Sequence, residues 1–278
     1  MTGVPVAAPQ PAARSTWSAQ QQTLILGIFS LPLIAFLVLP LVALLLRLSP
    51  SALLTHLFQP QVAQAIALSM ATTSITLLTT LAIGTPVGYL LGRKEFRGRQ
   101  LLDTLMDLPM VLPPAVAGIA LLLAFGRRGL FGQYFDDMGI HIAFTQSAVV
   151  LAQLFVAAPF YVKAAATGFE AIDEEILQAA ALDGANGWQI FQLITLPLAR
   201  TALLGGAVMT WARALGEFGA TIIFAGNFPG RTQTMPLAIY LGFELDLNIA
   251  LTLSVILLAA SFLVLLVVKG LLGQKVRL

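Results

Sequence analysis

Arg213 and Glu217, in the stretch WARALGEFGAT at 211–221, are the two side chains whose type and place ask most for an explanation. They sit inside an otherwise apolar run at 201–225, where an ionised group costs several kcal/mol unless it is paired or wetted. Four residues apart on a helix, the two share a face. Two readings stay open. One is a structural ion pair that joins helices. The other is an arginine facing a central pathway, with Glu217 tuning its charge and orientation, because a guanidinium offers two parallel N–H donors that suit a tetrahedral oxyanion. Gly216 and Gly219 beside them allow close backbone approach.

Other chemistries are disfavoured by what the chain lacks. There is no Gly-x-x-x-x-Gly-Lys-Ser/Thr run, so ATP phosphates are not cradled here in the familiar way, and any ATP-driven step belongs to another chain. There is no His-x-x-x-His pair and no Ser/His/Asp cluster within a span; His56 and His141 fall in segments expected outside the apolar runs, as solvated residues. No metal site and no enzymatic activity are expected of this chain. With no cysteine there is no disulfide framework, and a net charge of +2 is too small to point to nucleic acid.

The elements that must position Arg213 and Glu217 are membrane spans. Apolar residues make up 58% of the chain and charged residues 10%, against about 25% charged in soluble domains. Six apolar runs are long enough to cross: 24–46, 65–91, 109–125, 145–166, 201–225 and 249–272. The first is too long for a cleaved signal peptide. The second is rich in Ser, Thr, Gly and Ala and is expected at the centre of the bundle. The third carries Pro109, Pro113, Pro114 and Gly118, which predict a kinked or partly unwound helix. Residues 1–22, rich in Pro, Ala, Gln and Ser, read as a disordered tail.

Six spans put both termini on one side. With the termini inside, Arg14, Arg93, Lys94, Arg97, Arg99, Arg200, Lys269, Lys275 and Arg277 are inside, against Arg47, Arg127, Arg128 and Arg231 outside. The excess of basic residues makes the inside the cytoplasm. Arg127, Arg128 and Arg231 run against that bias. They are read either as ordinary exposed arginines or as part of a dock for a partner, formed by the polar outer loops 127–140 and 226–246.

Between the fourth and fifth spans lies IDEEILQAAALDGANGWQIFQLITLP. Glu174 to Asp183 has Ile176, Leu177, Ala180 and Ala181 on one side at helical spacing, with Asp173 placed to act as N-cap. Gly184 and Gly187, flanking Asn186, break the pattern. Trp188, Ile190, Phe191 and Ile194 then form a second apolar face, which Leu196-Pro197 is expected to end. The shape is helix, turn, helix. It reads either as an amphipathic element at the membrane surface or as a docking element.

The spacing Gln178-Ala179-Ala180, three residues, Gly184, nine residues, Ile194, one residue, Leu196-Pro197 resembles the EAA loop of permease subunits of ATP-binding-cassette importers. Gln178 stands where that family usually has Glu, and Glu174 and Glu175 lie one turn earlier. GRRGLFG at 126–132, the FDDMGI after it, WARALGEFGAT at 211–221 and AGNFPGRTQTMPLAIY at 225–240 are similar to permeases of molybdate importers and, more distantly, to sulfate permeases. The likeness covers about residues 62–270.

What the resemblance implies is an all-α, six-span bundle of the type I importer kind in the cytoplasmic membrane. Its cytoplasmic coupling helix would seat on a separate ATPase subunit, which binds ATP and Mg, through Glu174, Glu175, Gln178, Ala179, Ala180, Asp183, Gly184 and Trp188. The same resemblance implies a homodimer of this chain and an extracytoplasmic oxyanion-binding protein, for which the charge bias makes Arg127, Arg128 and Arg231 the expected dock. The translocation pathway would be lined by Arg213, Gly216, Glu217, Gly219, Pro113 and Pro114. The organisation expected is a tail (1–22), a first span with its outer loop (23–61), the importer transmembrane domain (62–270) and a cytoplasmic tail (271–278). The alternatives are a sulfate or thiosulfate permease of the same family, a secondary anion transporter, or a purely structural membrane subunit.

Overall fold

The break expected in the third apolar run is a sharp one. Helix α4 (Arg99–Val111) and helix α5 (Pro114–Phe125) meet at 116°. Pro113 and Pro114 have no N–H to continue the ladder, and the first of them holds Leu112 extended, at φ −63° and ψ 136°. Pro109 is tolerated inside α4. The computed structural model describes residues 19–47 and 49–273, and all of their regular elements are helical. Most of the two expected tails, 1–18 and 274–278, lies outside the described residues; residues 19–22 and 271–273 are helical rather than tail.

Helix α1 (Ala19–Arg47) is a unit by itself. From Leu26 to Arg47 it is apolar and long enough to cross a bilayer, and it keeps Pro32 and Pro40 within it.

The second unit begins with α2 (Pro50–Leu57), a short helix in what was expected to be loop, packed on α3 (Pro60–Arg93) and α13 (Leu247–Gly273). Helix α3 is central, as its small and hydroxylic residues predict. It buries Ser69, Thr72, Thr73, Thr76 and Thr80 and lies along α7 (Gln146–Glu170). The two helices mesh through Gly84, Gly88 and Gly92. A Cβ added at Gly88 would lie 2.7 Å from the Ala165 Cβ, and one at Gly92 would lie 2.4 Å from the Ala166 carbonyl oxygen. Two polar pairs bridge the seam: Thr76 Oγ1 donates to Gln153 Oε1 at 3.0 Å, and Thr85 Oγ1 meets Tyr161 Oη at 2.6 Å, whereas the buried hydroxyls of Thr73 and Thr80 have no hydrogen-bond partner among the described residues.

After α5, the short α6 (Gly132–Asp137) leads to α7, which is followed by α8 (Glu174–Leu182) and α9 (Gly187–Ile190). The fifth span differs from expectation at both ends. It begins at Gly187 and not at 201, because α9 runs through a π turn at Phe191–Thr195 into α10 (Leu196–Leu215). Leu196-Pro197 therefore does not end the helix. The wide turn precedes Pro197, which falls in the first turn of α10, where a missing N–H is harmless. At its far end the span stops at Leu215, and a separate helix α11 (Gly219–Phe224) follows a three-residue break. The outer segment 226–246 is not all loop either. Met235–Leu245 forms α12, an apolar helix packed on α13 and α3.

Three cores hold the unit together. Ala117, Leu121, Ala148, Val149, Ala152, Val156, Ala220 and Phe224 join α5, α7 and α11. Val62, Ala65, Leu215, Met235, Ala238 and Leu253 join α3, α10, α12 and α13. Tyr161, Ala165, Phe169, Ile172, Leu177 and Ala199 join α7, α8 and α10.

Candidate functional site

Arg213 and Glu217 meet as the sequence suggests, but across a break rather than along one helix. Arg213 lies in the last turn of α10, and Glu217 stands between Gly216 and Phe218, outside either helix. Arg213 Nη1 lies 2.7 Å from Glu217 Oε2; the carboxylate side chain is 1% exposed and the guanidinium side chain 30%. The other carboxylate oxygen, Oε1, accepts a hydrogen bond from Ala220 N at 2.8 Å. Glu217 thus satisfies a free N–H of the first turn of α11, where a negative charge also suits the helix N-terminus. The break falls between two packed cores, since Leu215 belongs to the α3–α10–α12–α13 cluster and Ala220 to the α5–α7–α11 cluster. Arg213 lies about 26 Å along α10 from Leu196, toward the end remote from α8.

The two broken elements touch. A Cβ on Gly219 would sit 2.6 Å from the Pro114 Cβ, and one on Gly118 would sit 2.9 Å from the Ala220 carbonyl oxygen. The structure therefore brings Pro114 and Gly219 together beside Glu217, with Pro113 as the N-cap residue of α5. Gly216 is the exception among the residues expected here. It has an ordinary φ of −88°, and the nearest atom to an added Cβ is Ala212 O at 3.6 Å, so no close approach depends on it.

At the opposite end, α8 stands on the C-termini of α3 and α7. Gly184 has φ +90°, Gly184 N donates to Ala181 O at 3.1 Å, and Ala185 N donates to Ala180 O at 3.0 Å. This is a Schellman ending, and its left-handed residue is the glycine expected to make the turn. Asn186 Oδ1 then accepts from Gln189 N at 3.0 Å while Gln189 Oε1 accepts from Asn186 N at 2.8 Å, a capping box that starts α9. Asp173 holds the N-cap position of α8, but its side chain makes no cap hydrogen bond.

The faces of α8 sort differently from the expected set. Leu177 is buried and Ala180 partly so, while Glu175, Ile176, Gln178, Ala179, Ala181, Leu182 and Asp183 are exposed. Leu182 is 89% exposed. Trp188 is also exposed and stacks on Phe191, whose ring packs edge-on against Tyr89 of α3.

Two cations outside the expected site make the firmest polar contacts at this end. Arg93, the last residue of α3, has a side chain only 10% exposed. Its Nη1 donates to Ile172 O at 2.9 Å and its Nη2 to Glu174 Oε2 at 2.6 Å, which ties α8 to α3. Lys163 of α7 reaches two aspartates of α4, with Nζ 2.8 Å from Asp103 Oδ1 and 3.1 Å from Asp107 Oδ1. The signals were present in the sequence: a lone lysine in a predicted span, and two aspartates four residues apart before the double proline.

At the far end, Arg127, Arg128 and Arg231 are exposed. Arg127 Nε lies 3.3 Å from Asp136 Oδ1, which also lies 2.7 Å from His141 Nδ1. The segments carrying Arg127 and Arg231 adjoin through Phe144, whose N donates to Phe224 O at 3.2 Å and whose ring meets that of Phe228.

Residues 84–278 match the family model described as binding-protein-dependent transport system inner membrane component. The chain is 40% identical over 233 residues to the molybdenum transport system permease protein ModB of Mycobacterium tuberculosis strain H37Rv, covering 84% of this chain and 88% of the relative. It is 34% identical over 245 residues to the molybdate/tungstate transport system permease protein WtpB of Thermococcus kodakarensis, covering 87% and 93%. Among solved structures, a bacterial alginate ABC transporter in complex with a pentasaccharide-bound periplasmic protein superposes with a TM-score of 0.73 at 16% identity, over 95% of this chain and 99% of that one. The MetNI methionine ABC transporter, in inward-facing form, does so with a TM-score of 0.59 at 17% identity, over 76% and 94%. At those identities the likeness is one of fold.

Proposed function

The chain belongs to the family of binding-protein-dependent transport system inner membrane components, and on that premise we propose that it is the permease subunit of an ATP-driven importer of molybdate, and of tungstate as a close analogue. The observation that carries the substrate is the identity to permeases named for molybdenum or for molybdate and tungstate, which extends over more than four-fifths of the chain. ATP hydrolysis is assigned to a partner chain, because this chain has no Gly-x-x-x-x-Gly-Lys-Ser/Thr phosphate loop.

The geometry supports a division of labour along the bundle. The exposed side of α8, with Ile176, Ala179, Leu182 and Asp183 at helical spacing, is the face that lies in a groove of the ATPase on the cytoplasmic side. Gln178, Ala180, Gly184 and Trp188 shape and flank that face, while Glu174 binds inward to Arg93. The segments around Arg127, Arg128 and Arg231, at the other end, receive the oxyanion-binding protein. Two copies of this chain enclose the pathway in the cytoplasmic membrane, and six spans with the excess of basic residues inside put both termini in the cytoplasm.

Between the two ends, the Pro113–Pro114 and Gly216–Gly219 breaks meet at the Arg213–Glu217 pair. Glu217 holds the guanidinium at the edge of its buried carboxylate, and the part of Arg213 that remains exposed offers donors to an oxyanion. Helix breaks suit this role because only there are backbone groups free to meet an ion.

The reading is tested by purification of the chain co-expressed with its ATPase. The expected result is a complex of two permease and two ATPase subunits that dissociates when Leu182 is changed to Arg. A monomeric permease that ignores the ATPase would contradict it.

A further inference from the structure

We propose that the bridge from Lys163 to Asp103 and Asp107 is the joint through which movement of α8 reaches the broken α4–α5 element, which makes Lys163 a positioning residue of the transport cycle. The inference rests on the reading of α8 as the ATPase-coupling helix. It goes beyond that reading by naming how the motion leaves it.

Helix α8 cannot move without α7. The turn between them is short, Ile172 and Leu177 share a core with Tyr161, Ala165 and Phe169 of α7, and Arg93 grips both the turn and Glu174. Helices α3 and α7 in turn mesh through glycines at backbone contact, so the pair moves as one piece.

Helix α4 is held quite differently. It packs on α7 but buries none of its own residues, and Leu101, Leu105, Leu108, Met110 and Val111 are all exposed. Apolar burial therefore does little to fix its position. Its directional hold on α7 is the bridge, in which one ammonium group serves two carboxylates one helical turn apart.

The other charges near this seam, around a hollow of about 720 Å³, are Glu95, Arg99 and Glu170. Arg99 is engaged by Glu95 and by Leu91 O, which leaves Lys163 as the cation that Asp103 and Asp107 contact. Paired carboxylates at i and i+4, about 6 Å apart along the axis, both hold the Lys163 ammonium at once, so α4 is carried with α7 rather than sliding along it. The far end of α4 leads through the 116° bend to α5, which abuts Gly219 next to the Arg213–Glu217 pair.

The test measures oxyanion taken up per ATP hydrolysed in liposomes holding the complete complex. K163M and D103N/D107N should assemble and hydrolyse ATP while the ratio falls roughly tenfold, the scale of a coupling between linked sites. K163R should keep the ratio, and D103N or D107N alone should change it by no more than about twofold, since one partner remains. The chain has no cysteine, so D103C/K163C can be bridged with a short bifunctional thiol reagent; bridging should restore the ratio that the unbridged pair has lost.

An assembled K163M with an unchanged ratio, or with uptake and hydrolysis reduced in equal proportion, overturns the proposal. So does a bridged D103C/K163C that transports no better than the unbridged one, which covers the case of a K163M that fails to fold. Wild-type complex that takes up no oxyanion with ATP would reject the coupling reading and the joint together, whereas wild-type uptake with a normal ratio in K163M would reject the joint alone.

Discussion

Arg213 and Glu217 form a 2.7 Å ion pair across the gap between α10 and α11, and the same carboxylate caps α11 through Ala220 N. One buried side chain therefore ties together two helices whose apolar residues belong to different cores. A pair so placed serves the fold, and in the proposed function it also faces the pathway; substitution separates the two roles.

We predict that R213Q, which strands the Glu217 carboxylate, destabilises the protein by about 2 kcal/mol, a value set below that of a fully buried pair because the arginine is partly exposed. R213Q/E217Q removes both charges and should regain thermal stability while uptake stays below about a tenth of wild type. Thermal unfolding in detergent and uptake of labelled molybdate check the two halves. Uptake restored in the double variant would make the pair structural alone.

Gly184 carries the one positive φ of the turn between α8 and α9. The prediction for G184V is a strain of about 1–2 kcal/mol at that residue, enough to tilt α8 away from its seat. ATPase assays should find hydrolysis no longer stimulated by loaded binding protein, with the permease still in the membrane. Full stimulation together with full uptake would count against α8 as the coupling element.

Gly219 has no room for a side chain, since its Cβ would stand 2.6 Å from that of Pro114. G219V should force α5 and α11 apart, cost roughly 1–3 kcal/mol as overpacking does, and impair uptake more than ATPase docking. G216A provides the control, because its Cβ meets nothing closer than 3.6 Å. Equal damage from both would show that the close approach of the two breaks is unimportant.

For the outer end, the expectation is that R127E/R128E/R231E weakens capture of the binding protein and flattens its dependence on salt, since three exposed cations would no longer attract it. Reversal at 127 also sets a carboxylate beside Asp136. Surface-immobilised binding protein, titrated at low and high ionic strength, gives both quantities. An unaltered affinity and salt slope would clear these arginines of any docking role.

Much of the architecture was legible because it is written in residues with few alternatives. Pro113-Pro114 allows no continuous helix, Gly184 followed by Asn186 and Gln189 specifies an ending and a start, and the Ser/Thr/Gly run of α3 suits close packing against α7. The features that were missed depend on tertiary contact. The break after Leu215 contains no proline and is held by a carboxylate bond to Ala220 N, which spacing on an ideal helix hides. The π turn before Pro197 moves the start of the fifth span by fourteen residues without a compositional mark. Helix α12 follows a polar stretch and is too short to read as a span, and its buried face of Leu237, Ala238 and Gly242 is defined by packing on α13 and α3. Lys163 stands alone in its span, and the partners that give it a role stand about sixty residues earlier in the chain.

The central claim is that this chain passes molybdate only when a partner ATPase drives it. Its most direct test is uptake of labelled molybdate into liposomes containing the permease and its ATPase, with binding protein outside and ATP inside. The account predicts accumulation that requires all three proteins and ATP, is competed by tungstate, and disappears when the ATPase is omitted. Uptake by the permease alone, driven by an ion gradient without ATP, would contradict it.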